Sequence, residues 1–179
     1  MATFIALLRG INVGGHRKLP MAELRGLCGE LGFAGVQTYI QSGNVVFAAD
    51  GPTARHEAAL EQGIVRVFGF QVDVVVRTAA QWAAVVAGNP LREVAEAEAD
   101  HVLLGVSKRP PEADAIEKLR ARATAGERVE AAGEVLWFHY PNSVARSKWT
   151  PAVIDRLVGS PLTGRNWRTV LKLAEMAGA

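Results

Sequence analysis

The sequence predicts an α+β protein built from two tandem ferredoxin-like subdomains, the split βαβ or α-β plait arrangement. Three observations predict it. Short apolar or β-branched runs alternate with stretches of helical spacing. The order strand, helix, strand, strand, helix, strand is complete in fewer than 80 residues. Strand, helix, hairpin, helix then recurs in the second half, with no residue-level repeat. The expected boundaries are 1–78 for the first subdomain, 79–100 for a helical and acidic connector, and 101–179 for the second. The second is expected to be incomplete or modified at its C-terminus, its last strand missing or replaced by a helix.

Each element has its own justification. Thr3 to Arg9 is apolar on both alternating faces and reads as a central strand. Pro20 sits where the first turn of a helix tolerates it; Met21, Leu24, Leu27, Cys28 and Leu31 supply the apolar stripe, and Gly32 the stop. Val36 to Ile40 and Asn44 to Ala48 are β-rich runs around a Gln41-Ser42-Gly43 turn. Pro52 opens a second helix with Leu60, Ile64, Val67 and Phe68 inward and Gly69 closing it, and Val72 to Arg77 returns as a strand. A short helix around Trp82 stops at Gly88-Asn89-Pro90, and Leu91 to Asp100 reads as a solvated acidic connector. His101 to Ser107 is a strand, Pro110-Pro111 starts a helix reaching about Ala123, and Arg128 to Ala131 with Val135 to Tyr140 flank a second hairpin. Thr150-Pro151 caps a helix burying Val153, Ile154 and Leu157, and Asn166 caps the last one.

Composition bounds the function classes. With 179 residues, 49% hydrophobic and 21% charged, the chain is globular and not disordered. A net charge of +2 does not mark a dedicated nucleic-acid binder, although residues 143–179 sum to +4 against −3 for 78–142 and +1 for 1–77. The single cysteine, Cys28, excludes an intramolecular disulfide and a C-x-x-C site, and its place on an apolar helix face reads as core. The run Phe4 to Leu8 is too short for a signal peptide, and nothing approaches the ~20 apolar residues of a membrane span. A cytoplasmic location is the expectation. His16, His56, His101 and His139 share no metal-ligand spacing, so no metal is expected.

The most informative stretch is Leu7 to Lys18, where an apolar strand runs into three glycines, an asparagine and a knot of positive charge. Gly10 and Gly15 satisfy G-x-x-x-x-G, but His16 and Arg17 stand where a P-loop carries Lys and Ser or Thr. What remains is glycine amides beside Arg9, Arg17 and Lys18. The split βαβ topology places the loop after strand one, the hairpin between strands two and three, and the turn before strand four at one end of the sheet. Arg9, Gly10, Asn12, Gly14, Gly15 and Lys18 are thereby expected on one rim with Gln41, Ser42 and Asn44. Ser42 lacks the G-x-S-x-G setting of a nucleophile. Lys148, Arg165 and Asn166 join the candidate set if the second subdomain folds over that rim.

The leading expectation is a small protein binding a phosphorylated small molecule or nucleotide. RNA or DNA binding is an alternative, because Arg146, Lys148, Arg165 and Arg168 accompany Trp149 and Trp167. A non-enzymatic interaction module, in which the glycine loop is only structural, is another. No residue is assigned a catalytic role and no cofactor is named.

Four stretches carry a likeness: LLRGINVGG at 7–15, YIQSGNVVF at 39–47, Asn89-Pro90, and GRNWRTVLKL at 164–173. They resemble the bacterial domain-of-unknown-function family numbered 1697 over nearly the whole chain. That family usually reads Thr-Thr-Arg-Asn-Trp where this chain has Thr163-Gly164-Arg165-Asn166-Trp167. The resemblance implies a pair of ferredoxin-like subdomains and no activity.

Overall fold

The N-terminal apolar run forms β1 (Ala2–Leu8), buried without interruption from Phe4 to Leu8, as a central strand requires. The computed structural model describes residues 1–179. Helix α1 (Met21–Glu30), β2 (Ala34–Tyr39), β3 (Asn44–Ala49), α2 (Thr53–Phe68) and β4 (Val74–Thr78) follow. Their sheet has the order β2-β3-β1-β4 and is antiparallel throughout. Phe4, Ala6 and Leu8 of β1 meet Leu24, Leu27 and Cys28 of α1 and Leu60 and Ile64 of α2 in one core. At Gly63 a β-carbon would lie 2.8 Å from Leu27 Cδ1, so this glycine lets the two helices approach.

The sequence reading needs two small corrections here. Pro20 occupies the N-cap position of α1 rather than its first turn, whereas Pro52 opens α2 as its N-cap. Val67 is exposed, while Leu60 and Ile64 are buried and Phe68 packs against the same core. On that same helix Glu57 and Glu61 lie four residues apart. They accept the Val76 and Val74 N–H groups at 2.8 and 2.9 Å. These amides belong to an edge strand, so two carboxylates close an edge that otherwise invites another strand.

The second half contains α3 (Ala79–Ala87), α4 (Arg92–Ala97), β5 (Val102–Ser107), α5 (Ala115–Arg120), β6 (Arg128–Ala132), β7 (Val135–His139), a 3₁₀ turn (Val144–Arg146), α6 (Pro151–Val158), β8 (Leu162–Asn166) and α7 (Trp167–Ala177). Its sheet order, β6-β7-β5-β8, is that of the first in corresponding strands. The expected loss of the last strand is therefore corrected: β8 pairs antiparallel with β5 from Leu103↔Asn166 to Ser107↔Leu162. The helix after Pro110-Pro111 contracts to Ala115–Arg120, because the preceding segment is tied to the end of α6 by Glu112 N–H donating to the Val158 carbonyl at 3.0 Å. Thr150 does cap α6, its hydroxyl accepting from Val153 N–H. The chain divides into a unit of Met1–Ala83 with Leu173–Ala179 and a unit of Ala84–Lys172, the breaks falling inside α3 and α7. The second unit's core gathers Ala115, Leu119, Phe138, Tyr140, Trp149, Ile154 and Val158.

Candidate functional site

At the C-terminal end of β1 three chain segments are stitched together. Leu8 N–H donates to the Gly43 carbonyl at 2.8 Å and Arg9 N–H to the Asp73 carbonyl at 3.0 Å. The loop after β1, the β2–β3 hairpin and the turn before β4 thus share one end of the sheet. The loop itself is a miniature hairpin. Gly14 (φ 57°) and Gly15 (φ 77°) form its two-residue turn, closed by His16 N–H to the Val13 carbonyl at 3.0 Å. Both turn residues need positive φ, the type I′ pattern that selects glycine. Asn12 N–H then donates to the Arg17 carbonyl at 3.1 Å.

Asn12 anchors this hairpin. Its side-chain amide donates to the carbonyls of Leu19 (3.0 Å) and Gln41 (2.8 Å), and its oxygen accepts Leu19 N–H at 2.8 Å. Ile11 and Leu19 plug into the core beneath. Asn44 is fully buried; its amide donates to the Tyr39 carbonyl at 2.9 Å and the Ser42 hydroxyl at 3.2 Å, bracing the neighbouring turn. Both asparagines therefore shape the rim with side chains already committed. Three residues here hold left-handed backbone without being glycine: Asn12, Arg17 and Ile40. For a β-branched residue such as Ile40 (φ 49°) that conformation is strained, and it persists because the flanking carbonyls are pinned on both sides.

The surface thus held presents exposed Gly10, Gly14, Gly15, His16, Arg17, Lys18 and Gln41. Arg9 is half-buried and pairs with Asp73 at 3.6 Å. The amides of Gly10, Gly14 and Gly15 make no hydrogen bond within the chain. Arg17 lines a cleft of about 530 Å³ together with Glu61, Gln62, Val65, Arg66, Gln71, Val72 and Asp73. Arg17 enters no ion pair. Sequence reasoning registers Arg17 only as part of the loop's charge and misses Gln62, Arg66 and Gln71. Connection topology puts the turn before β4 on this rim, and that is the sequence signal for Gln71 and Asp73.

The remaining sequence candidates lie in the second unit. Lys148 is exposed before α6. Arg165 is buried in β8, donating to the Gly164 carbonyl at 2.9 Å, and burial pulls its pKa down to about 10. Asn166 caps α7 by accepting Thr169 N–H at 2.9 Å, while its amide reaches Asp100 at 3.3 Å. Trp149 and Trp167 are buried, Trp149 donating its indole N–H to the Leu119 carbonyl at 2.9 Å. Phe4 and Phe47 are buried in a cluster with Phe33 and His56. None of these four rings offers a face for base stacking.

The second unit also joins Glu98 to His139 Nε2 at 2.9 Å and to His101 Nδ1 at 3.5 Å, a group that no spacing rule identifies. The hydrogen bond from His139 holds the Glu98 carboxyl below its usual range. No set of three or more His, Cys, Asp or Glu side chains is placed to hold a metal ion.

Fold and rim together define a tandem α-β plait protein whose first unit carries a glycine-built, basic rim beside an open cleft. The chain belongs to the family described as protein of unknown function (DUF1697), whose model matches residues 1–137. The solved structure of conserved bacterial protein SP0830 from Streptococcus pneumoniae is similar in fold, with a TM-score of 0.76, 22% identity and 98% of each chain covered. No curated protein matches the chain. No helix is long and apolar enough to cross a membrane.

Proposed function

We propose that the first unit binds a phosphorylated small molecule or nucleotide in the cleft between the glycine hairpin, α2 and the segment leading to β4. The observation that carries this reading is Arg17: a guanidinium with no carboxylate partner, on the wall of a cleft of about 530 Å³, a size typical of small-ligand sites. The cleft's other charges are engaged to differing degrees, Asp73 least. Asp73 faces Arg9, Glu61 accepts Val74 N–H, and Arg66 pairs with Glu30 at 3.1 Å. That last pair is exposed, and such pairs contribute roughly 0–1 kcal/mol, so Arg66 is readily redirected. A guanidinium presents parallel N–H donors that match two phosphate oxygens. Of the hairpin only Arg17 lines the cleft; Lys18, next to it in the chain, adds positive charge nearby.

A thermal-shift panel of sugar phosphates, nucleotides and coenzyme A, run on the wild type, Arg17→Ala and Lys18→Ala, tests the proposal. A ligand at 100 times its Kd stabilises by about 2.7 kcal/mol, a shift readily seen for a chain of this size. The expected result is a raised Tm with at least one phosphorylated compound, abolished by Arg17→Ala and reduced by Lys18→Ala. Stabilisation by none, or stabilisation indifferent to both substitutions, overturns it.

A further inference from the structure

We infer that the ligand is a polyol phosphate, a hydroxyl-rich phosphate ester in which Arg17 takes the phosphate and Asp73, Gln62 and Gln71 take the hydroxyls. The inference rests on the phosphate-binding reading above and adds what that reading leaves open. A site for a bare anion has no use for carboxylates, yet this cleft carries Glu61 and Asp73 opposite Arg17 and Arg66. Its charged side chains therefore balance. Glu61 is tied to Val74 N–H, but Asp73 meets only Arg9, loosely at 3.6 Å, and is half-exposed. An ionised carboxylate accepts at about four lone-pair positions, so Asp73 keeps most of its capacity. The Gln62 and Gln71 side chains are exposed and make no hydrogen bond within the chain.

The uncommitted groups are thus one strong anion receptor, one acceptor and two amides that both donate and accept. A hydroxyl donates to the carboxylate without adding charge and accepts from the amides, so a chain of hydroxyls satisfies all three. The lining contains no aromatic ring, and its only apolar residues are Val65 and Val72. A flat heterocycle finds no stacking partner there, which puts the recognised chemistry in the sugar and phosphate rather than in a base.

Isothermal titration at fixed pH and ionic strength tests this with inorganic phosphate, propyl phosphate, 2-aminoethyl phosphate, ribose 5-phosphate and AMP. The proteins are the wild type, Arg17→Ala, Gln71→Leu and Asp73→Asn, each checked for native circular dichroism. Ribose 5-phosphate is expected to bind the wild type about 10-fold more tightly than propyl phosphate, as two good hydrogen bonds imply. Gln71→Leu should shrink that margin with propyl phosphate little changed, Asp73→Asn should shrink it while tightening propyl phosphate because a repelling carboxylate is gone, and Arg17→Ala should weaken both esters together. Ribose 5-phosphate at least as tight as AMP supports recognition through sugar and phosphate; AMP clearly tighter shows that the base is recognised and overturns it. Equal binding of propyl and ribose phosphates overturns the hydroxyl assignment and leaves phosphate binding standing. Tightest binding of 2-aminoethyl phosphate overturns it in favour of an ammonium on Asp73. No binding by any ester removes the phosphate reading, and this inference with it.

Discussion

Gly43 offers a sharp test of how the rim is built, because two separate costs meet at one atom. It is the last residue of the β2–β3 turn, and its carbonyl receives Leu8 N–H. Its φ is +89°, and a β-carbon there would lie 2.6 Å from Ile11 Cδ1 and 2.8 Å from Leu8 Cβ. Leu8 Cβ is bound directly to a central strand and cannot rotate away. Ile11 is buried against the same core and has little room to yield. Gly43→Ala should therefore pay for left-handed backbone, about 1–2 kcal/mol, and for overpacking, about 1–3 kcal/mol. The total is about 2–5 kcal/mol, which for a chain of this size lowers Tm by roughly 5–15 °C. Gly69→Ala in the same unit is the control. Its φ is +78° with nothing within 4 Å of the added carbon, so it carries only the backbone cost. Urea unfolding of both variants, followed by circular dichroism, isolates the steric contribution as the difference in midpoint at constant slope. Equal destabilisation by the two substitutions, within about 0.5 kcal/mol, refutes the close approach of the two turns.

Three further outcomes follow from named contacts. Asn12→Ala removes three hydrogen bonds to Leu19 and Gln41 and should cost about 2–4 kcal/mol in urea unfolding, at a net ~1 kcal/mol per bond; a loss under about 0.5 kcal/mol would show the hairpin to be held otherwise. Burial pushes the Cys28 thiol up to about 12, so the native protein should resist thiol reagents at pH 8 and react only once denaturant opens α1, as a mass-spectrometric time course will show. Burial pushes the Glu127 carboxyl up, but the Ser147 hydroxyl and the Ala125 and Thr124 amides outweigh it, and its pKa falls below the usual 4.5. Its contribution to stability is then fully present above about pH 4.5 and lost as pH falls through the lowered value. Glu127→Gln should flatten that acid limb in chemical denaturation measured from pH 6 down to pH 3.

The topology was legible in the sequence because each strand and helix of the first unit carries its own period and its own breaker. Leu24, Leu27 and Cys28 repeat at helical spacing, and Gly43 and Gly69 punctuate. Once that order is read, the shared end of the sheet follows from connection geometry alone, and the bonds from Leu8 to Gly43 and from Arg9 to Asp73 lie there. β8 was not legible. Leu162-Thr163-Gly164-Arg165-Asn166 has one large apolar residue and no alternation, and it is a strand because β5 offers an edge to pair with. At the rim the residue types were legible and their roles were not. Asn12 and Asn44 read as ligand-facing amides, yet both spend those amides on carbonyls, a choice that depends on backbone positions no local pattern encodes. Gln62 and Arg66 escape notice because nothing separates them from ordinary solvated helix positions until the cleft is seen.

The proposed site lies in the first unit although the second repeats its strand order, and the equivalent corners differ. Arg9 N–H donates to the Asp73 carbonyl beside β4, and Lys108 N–H donates to the Pro161 carbonyl beside β8, each at the end of its central strand. In the second unit the corner is then consumed. Arg109 N–H donates to the Ser160 hydroxyl at 3.1 Å, its guanidinium donates to the Gly159 carbonyl at the end of α6, and Ser107 donates to the Arg109 carbonyl at 2.6 Å. Glu112 packs where a β-carbon on Gly159 would fall, 2.8 Å from its Oε1. The arginine of that corner is a fastener. In the first unit the twelve-residue connection 9–20, with its own turn and its own asparagine anchor, replaces these bonds, and it carries Arg17 to the cleft wall without an ion pair. A chain that needed only to connect β1 to α1 had the second unit's shorter solution available. The longer, strained one leaves the Arg17 guanidinium on the cleft wall without an ion pair, which is what the proposed phosphate site draws on.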